Sequence, residues 1–182
     1  MNSIFNLLLR KIGFNSRLIS ARVIDDSGKL GPEYDHMSIF IEIDNRKYLA
    51  DVGYGDLLIK PIEIKGGRQS DGRNDFTVRQ LNELDFILAM CSDEVSFIEK
   101  YRFGLTEVPV EKFSDICLEK QTNPSSYFVK NLVCTKPTRY GRITLLNDKL
   151  IEKKGKARIE KLIHDDHELR QVFANYFEVT VS

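Results

Sequence analysis

Apolar residues at both ends of the chain recur at the spacing of an α-helix. The first group is Ile4, Phe5, Leu8, Leu9 and Ile12, followed by a glycine of the kind that ends helices. The second group is Leu169, Val172, Phe173, Tyr176 and Phe177. Asp165 and Glu168 precede the second group at the spacing of a capping box. The pattern therefore predicts a short amphipathic helix at each end of the chain.

Between these helices, short runs of alternating and β-branched residues predict strands. The runs are residues 16–25, 34–56, 61–64, 75–81, 86–91, 96–103, 125–138, 140–148 and 149–162. One further helix is predicted over residues 109–123, because Pro109 suits a first helical turn and Pro124 a stop. Since the strands follow one another through short turns, we expect an α+β fold with an antiparallel β-barrel or sheet and peripheral helices.

The segment YDHMSIFIEIDNRKYLADVGYGD, residues 34–56, predicts a β-hairpin. Its best two-residue turn is 44–45, an Asp and an Asn, because both residue types tolerate left-handed backbone. That turn places Phe40 opposite Leu49. One face of the hairpin then holds Met37, Ile39, Ile41, Ile43, Tyr48, Ala50 and Val52. We expect this apolar face to be the core face.

His36 and Asp51 share the other, more polar face of the hairpin, offset diagonally. Diagonal neighbours lie about 7–8 Å apart between Cα atoms, which a His and an Asp can bridge. A His held by a carboxylate is a general base that awaits a nucleophile. The alternative is a pair of incidental surface residues. Gly53 and Gly55 flank Tyr54 directly after the strand, which indicates either close approach of the backbone to a ligand or a simple turn.

Composition and charge exclude several classes of protein. Lys plus Arg and Asp plus Glu each number 27, so no net charge draws the chain to nucleic acid or to an acidic membrane. No apolar run approaches the roughly 18 residues of a membrane span, and the first residues lack the pattern of a secretory signal. An odd number of cysteines, 3, argues against a disulfide framework and indicates the cytoplasm.

The motif HDDHE, residues 164–168, is better explained by helix capping than by metal ligation, so no metal site is expected.

With His36, Asp51 and DVGYG placed, the chain resembles the arylamine N-acetyltransferases. FNLLLRKIGF is similar to the helix end that follows that family's nucleophile, and H…YLADVGYG to its His and Asp segments. NPSSYFVKNLVCTKPTRYGRITLLNDKLIE is similar to its C-terminal stretch. The resemblance implies the family's second and third domains, with a cysteine-protease-like core. It assigns residues 1–14 to a remnant of the N-terminal helical domain, 15–108 to the β-barrel domain with the His/Asp pair, and 109–182 to the C-terminal α/β lid.

The resemblance also implies an activity. Family members are cytosolic enzymes that transfer acetyl from acetyl-CoA to arylamines or arylhydrazines through an acetyl-cysteine and a Cys–His–Asp triad, without a metal. Carried over, His36 and Asp51 match the triad histidine and aspartate. Tyr54 and Gly55 match substrate-binding positions that line the cleft. Phe128 belongs to an SxF element that borders the cleft, with packing as the alternative role.

The chain departs from the family at the nucleophile. The family's cysteine lies in an RGGxC[FY]E segment, which by this alignment falls three residues before Met1. We therefore expect a truncated member without that cysteine or the helical bundle, and no acetyl transfer by the isolated chain. Cys91, Cys117 and Cys134 are expected to be structural residues rather than replacement nucleophiles. The alternatives are a non-catalytic protein that binds CoA or an aryl ligand or pairs with another protein, with self-association through exposed apolar surface, and a gene remnant.

Overall fold

The computed structural model describes residues 1–55, 57–91, 96–155 and 157–180, so Asp56 at the end of the predicted hairpin segment lies outside it. The chain divides into two compact units, Met1–Cys117 and Leu118–Ser182. The domain boundaries expected after residues 14 and 108 rest on the resemblance alone and stay predictions. In the described part of the chain, no helix is long and apolar enough to cross a membrane.

The first unit is built around one antiparallel sheet. Its elements are α1 (Asn2–Lys11), β1 (Asn15–Val23), β2 (His36–Ile43), β3 (Arg46–Ala50), β4 (Ile62–Glu63), β5 (Gln69–Ser70), β6 (Asp75–Gln80), β7 (Asp85–Cys91) and β8 (Phe97–Glu107). The strand order is β4-β3-β2-β1-β8-β7-β6-β5. The edge strands β4 and β5 contact each other, so the sheet is a nearly closed barrel. This architecture confirms the predicted α+β fold with an antiparallel barrel and peripheral helices.

The hairpin of β2 and β3 has the predicted turn and register. Residues 44–45 have positive φ angles of 50° and 62°, and Phe40 pairs with Leu49. Phe40 and Leu49 belong to the barrel core and are 1% and 0% exposed. The opposite face is buried as well, beneath α1, and comprises Ile39, Ile41 and Ala50. The expectation of one core face was therefore incomplete: the face that carries His36 and Asp51 is the one turned toward the barrel core.

Helix α1 packs on a different face from the one that its apolar residues predict. Leu9 is buried against β1 and β2, and Phe5 is partly buried beside it. The other members of the predicted apolar face are exposed, namely Ile4, Leu8 and Ile12. Two asparagines, Asn2 and Asn6, occupy buried positions instead, 3% and 6% exposed. The buried stripe thus includes polar side chains, which a pattern of apolar residues alone does not reveal.

The barrel core is aromatic and aliphatic. Its fully buried members include Ile19, Phe40, Leu49, Phe76, Leu88, Tyr101 and Phe103. Burying a side chain of this size contributes about 1.5–3 kcal/mol relative to leaving it exposed. Phe40 and Leu49 bury one face of the hairpin in this core, and the residues beneath α1 bury the other, so the hairpin that carries His36 and Asp51 is packed on both faces.

The second unit is a four-stranded antiparallel meander with a closing helix. A 3₁₀ turn at Val110–Phe113 leads into α2 (Ser114–Thr122), and the border between the units lies within α2. The later elements are α3 (Tyr127–Lys130), β9 (Val133–Thr138), β10 (Gly141–Leu146), β11 (Lys149–Lys154), β12 (Ala157–Leu162) and α4 (Asp166–Val172). Helix α4 continues as a π-helical turn over Phe173–Phe177. The strand predicted over residues 125–138 is wrong in its first half, where α3 forms. A helix of one turn is too short to show helical periodicity in its sequence.

Candidate active site

His36 and Asp51 meet at the open end of the hairpin. His36 is the first residue of β2, and Asp51 directly follows the last residue of β3. Their side chains are joined by a hydrogen bond of 2.6 Å between His36 Nε2 and Asp51 Oδ2. Because a carboxylate only accepts, Nε2 carries the proton. The Asp51 side chain is 0% exposed and that of His36 is 15% exposed, so the bond is shielded from water on the side of the acid.

Asp51 is surrounded by hydrogen-bond donors. Its Oδ1 accepts from the backbone N–H groups of Gly53 and Tyr54, at 2.9 and 3.1 Å. The same oxygen accepts from Asn2 Nδ2 at 2.8 Å. Burial alone raises the pKa of Asp51, but the hydrogen bond and charge of His36, the amide of Asn2 and the Gly53 N–H outweigh it and lower that pKa below its ordinary value. Asp51 is therefore ionised near neutral pH and orients the imidazole of His36.

Asn2 is a member of this site that sequence reasoning missed. Its Nδ2 also donates to the carbonyl oxygen of Met37, and its Oδ1 accepts from the backbone N–H of Val52 at 2.8 Å. The only signal in the sequence is the recurrence of Asn2 and Asn6 at i and i+4 within an apolar helical segment. That spacing places both asparagines on one helix face but does not indicate which side of the helix is buried.

Two tyrosines pack against the His36 ring. The ring of Tyr54 meets it edge-on with centroids 5.4 Å apart, and the ring of Tyr101 lies 5.6 Å away at a tilt of 39°. Tyr101 is fully buried, with its hydroxyl 3.4 Å from Ser38 Oγ. Burial, with the nearby charge of Asp51, raises the pKa of Tyr101 well above its usual value, so the phenol stays protonated.

The hydrogen bond to Asp51 uses His36 Nε2, so Nδ1 is the ring nitrogen left for a reacting group.

The glycines of DVGYG have separate structural reasons. A Cβ atom on Gly53 would lie 2.8 Å from Asn2 Nδ2, closer than real Cβ contacts. Gly55 has a φ of +77°, a left-handed conformation that glycine adopts at low cost. Asn2 therefore accounts for the close approach at Gly53, while an approach of substrate to Tyr54 and Gly55 stays a prediction.

Cys91 and Cys134 lie in different parts of the fold, and neither has the surroundings expected of a nucleophile. Cys91 ends β7 and pairs with Phe97, whereas Tyr101 pairs with Leu88 in the same ladder. Cys91 is thus displaced along the strand from the level of Tyr101 by about 10 Å at the usual strand rise. Cys134, in the second unit, is partly buried against that unit's core, and burial raises the pKa of its thiol. A raised pKa disfavours the thiolate that a nucleophile requires.

The remaining predicted features lie in the second unit. Phe128 is on α3 and is 62% exposed. In the HDDHE motif, the N–H of Glu168 donates to Asp165 Oδ1 at 2.8 Å, and the N–H of His164 donates to Glu168 Oε2 at 2.9 Å. The first bond is the predicted N-cap bond of α4. In the second, Glu168 accepts from His164, one residue before the N-cap, rather than from Asp165 as in a standard capping box. Within residues 1–55, 57–91, 96–155 and 157–180, no group of three or more His, Cys, Asp or Glu side chains is placed to hold a metal ion.

Comparison with known proteins relates this site to one family. A family model described as N-acetyltransferase matches residues 1–182. The arylamine N-acetyltransferase of Escherichia coli (strain K12) is 28% identical over 152 residues, which cover 80% of this chain and 52% of that protein. The chain thus spans about half the length of this relative.

Solved structures show the same fold. An arylamine N-acetyltransferase from Bacillus cereus, described as having a unique Cys-His-Glu catalytic triad, superposes with a TM-score of 0.87 at 23% identity, covering 99% of this chain and 72% of that one. The Mycobacterium marinum arylamine N-acetyltransferase in complex with CoA superposes with a TM-score of 0.85 at 17% identity, covering 98% and 67%. Because the family model matches the chain over its full 182 residues, the chain belongs to the arylamine N-acetyltransferase family.

Proposed function

We propose that His36 and Asp51 are the base and the orienting acid of a thiolate-dependent acetyl transfer from acetyl-CoA to arylamines or arylhydrazines. In this reaction a cysteine thiolate, paired with protonated His36, attacks the acetyl thioester, and the CoA sulfur takes the proton from His36 and leaves as the thiol. The amine then attacks the acetyl-cysteine and gives its proton to His36 as the thiolate is released. His36 carries the proton between these steps, and Asp51 orients the imidazole. The sulfur belongs to a third residue.

The observation that carries this proposal is the 2.6 Å bond between His36 Nε2 and Asp51 Oδ2. It fixes the tautomer and the orientation of the ring, which is the task of the acid in nucleophile–base–acid triads. The rings of Tyr54 and Tyr101 form an apolar wall beside the imidazole. Such a wall suits an aromatic amine and excludes water that would hydrolyse an acetyl-enzyme.

We further propose that none of Cys91, Cys117 and Cys134 is the nucleophile. The His36 side chain contacts Asp51, Tyr54 and Tyr101. The resemblance instead points to a cysteine three residues before Met1. On this proposal the 182-residue chain, tested by itself, does not turn over, because loss of a triad nucleophile costs roughly 10⁶ in rate in subtilisin.

Tyr54, Gly55 and Phe128 are the proposed substrate-binding residues. Tyr54 adjoins the base, and the backbone of Gly55 continues from it. Phe128 offers an exposed aromatic face, although its role rests on the family resemblance. Acetyl-CoA as acetyl donor is supported by the CoA complex of the Mycobacterium marinum protein. A cytoplasmic location is part of the same proposal.

The test adds a cysteine at the position that the family resemblance predicts. We would extend the chain with a short segment that places a cysteine three residues before Met1, and prepare the same extension with serine as the control. With acetyl-CoA, the cysteine form should gain one acetyl group by intact-protein mass spectrometry and then transfer it to an arylamine. The serine form and the unextended chain should do neither. His36→Ala in the cysteine form should abolish acetylation.

Two results would overturn the proposal. Turnover by the unextended chain above the serine control would mean that another residue is the nucleophile. Acetylation of the cysteine form that is unaffected by His36→Ala would mean that His36 is not the base. Circular dichroism of each variant would confirm that the fold is retained, so that lost activity reports on the site.

A second candidate is a non-catalytic protein that binds CoA or an aryl ligand, or that pairs with other proteins. The exposure of Ile4, Leu8 and Ile12 on α1 favours association, because exposed apolar patches promote it. Light scattering would detect self-association, and a thermal-shift titration with CoA would detect binding. A monodisperse monomer with no shift at millimolar CoA would remove this candidate.

A further inference from the structure

We propose that Asn2 is a positioning residue of the site, whose carboxamide takes the place of a backbone hydrogen-bonded pair between β2 and β3 and holds the Asp51 carboxylate toward His36. The proposal rests on the function proposed for His36 and Asp51. It assigns no contact between Asn2 and substrate. Asn2 acts through Asp51, from a helix that is 49 residues away in sequence.

The hairpin register shows what Asn2 replaces. A two-residue turn makes the closing pair, Ile43 and Arg46, a hydrogen-bonded pair, and such pairs alternate along an antiparallel ladder. Continued past Ile39 and Ala50, the alternation would make Met37 and Val52 the next pair of this kind. The Val52 N–H would then donate to the Met37 carbonyl. Instead the Val52 N–H donates to Asn2 Oδ1, and Asn2 Nδ2 donates to the Met37 carbonyl.

The orientation of the carboxamide is fixed by its three partners. Its amino group donates to Met37 and to Asp51 Oδ1, and its oxygen accepts from Val52. A flipped amide would place oxygen against a carbonyl and a carboxylate, and N–H against N–H. Because Asn2 is 3% exposed, water does not compensate for such a mismatch. The donor is therefore held at Asp51 Oδ1.

Asn2 contacts the neighbours of both members of the pair. Met37 follows His36 in the chain, and Val52 follows Asp51. Inserted between these residues, the carboxamide keeps the strands apart where the direct pair would draw them together. Gly53 leaves room for it, since a Cβ there would lie 2.8 Å from Asn2 Nδ2. With Oδ1 bound by Asn2 and two backbone N–H groups, Oδ2 faces His36.

The experiment compares Asn2→Ala with Asn6→Ala in the full chain. Asn6 is the matched control, because it lies one turn along the same helix, is 6% exposed, and has a side-chain oxygen without a hydrogen-bond partner among the described residues. Two signals are followed by NMR: the titration of the Asp51 carboxyl carbon and the exchange-protected Nε2–H proton of His36. In Asn2→Ala we expect the Asp51 pKa to rise and the His36 proton signal to broaden or vanish. In Asn6→Ala both signals should match those of the parent.

Retention of both signals in Asn2→Ala, in a folded protein, would overturn the proposal. Equal changes in Asn2→Ala and Asn6→Ala would also overturn it, since they would report a loss of helix packing. A third variant, Asn2→Asp, keeps the shape and the Val52 acceptor but replaces the donor with a second carboxylate; it should raise the Asp51 pKa further than Asn2→Ala. These signals need no turnover, so failure of the acetyl-transfer test leaves this test intact.

Discussion

Gly53 approaches Asn2 so closely that a Cβ atom on residue 53 would lie 2.8 Å from Asn2 Nδ2. Asn2 cannot withdraw without losing its bonds to Asp51 and Val52. We therefore predict that Gly53→Ala destabilises the protein by about 1–3 kcal/mol, the usual cost of an extra methyl group in a packed site. Urea unfolding would measure the change.

Gly66→Ala is the matched control for Gly53→Ala. A Cβ there would meet nothing within 4 Å, and Gly66 is not among the glycines with positive φ. Its stability should stay within about 0.5 kcal/mol of the parent, as is usual for surface changes. A Gly53→Ala protein as stable as Gly66→Ala would show that Asn2 is not held as the structure places it.

The stability contributed by Asp51 depends on pH in a definite direction. The pKa of Asp51 in the fold is lowered, so it lies below the value of about 3.9 for an unfolded aspartate. Stability from the carboxylate is then complete above about pH 5 and is lost as the pH falls through the folded pKa. Asp51→Asn should therefore be less stable than the parent, by about 1–3 kcal/mol at pH 7, because four N–H donors lose a charged acceptor.

The decisive measurement for Asp51 is how that difference changes with acid. Urea unfolding of the parent and of Asp51→Asn at about pH 7, 5 and 3 should give a difference that is constant at first and then shrinks toward pH 3. A difference that grows on acidification would mean that the folded pKa is raised, and that burial outweighs the donors around the carboxylate.

Tyr101 contributes to the site through its ring more than through its hydroxyl. The ring is fully buried and packs against His36, Tyr54 and Phe103 with centroids 5.6 to 5.9 Å apart. The hydroxyl lies 3.4 Å from Ser38 Oγ, a long contact, and also interacts with the side chain of Asp51. We predict that Tyr101→Ala costs about 3–5 kcal/mol, whereas Tyr101→Phe costs about 0.5–1.5 kcal/mol. Similar losses for the two variants in urea unfolding would mean that the buried hydroxyl dominates.

The hairpin shows why part of the fold could be predicted from the sequence. Asp44 and Asn45 permit one tight turn, and that turn fixes Phe40 opposite Leu49, so register and strand ends follow from local chemistry. The same pattern predicted only one of the two buried faces. Both faces of this hairpin are buried because the sheet curls into a barrel on one side and α1 covers the other. Neither cause is local to the hairpin sequence.

Part of the candidate site could likewise be predicted from local sequence, and part could not. His36 and Asp51 were predictable because one hairpin carries both, at a diagonal spacing that the register defines. Asn2 was not, since its partners Met37, Asp51 and Val52 lie 35 to 50 residues away in the chain. A polar residue in an apolar helix suggests a surface position, and only the path of α1 across the hairpin shows that Asn2 is buried.

Helix α1 offers a direct test of which of its faces is buried. Leu9 is 7% exposed and packs with Leu18, Ile39 and Ile41, whereas Leu8, its neighbour in the chain, is 51% exposed. We predict that Leu9→Ala lowers the free energy of unfolding by about 2–5 kcal/mol, through lost burial and the cavity left behind. Leu8→Ala should change it by no more than about 0.5 kcal/mol. Both variants replace leucine by alanine on one helix, so the effect of helix propensity cancels between them. Urea unfolding at two protein concentrations measures the difference in their free energies of unfolding. A large, concentration-dependent loss for Leu8→Ala would show that another copy of the chain covers this face in solution.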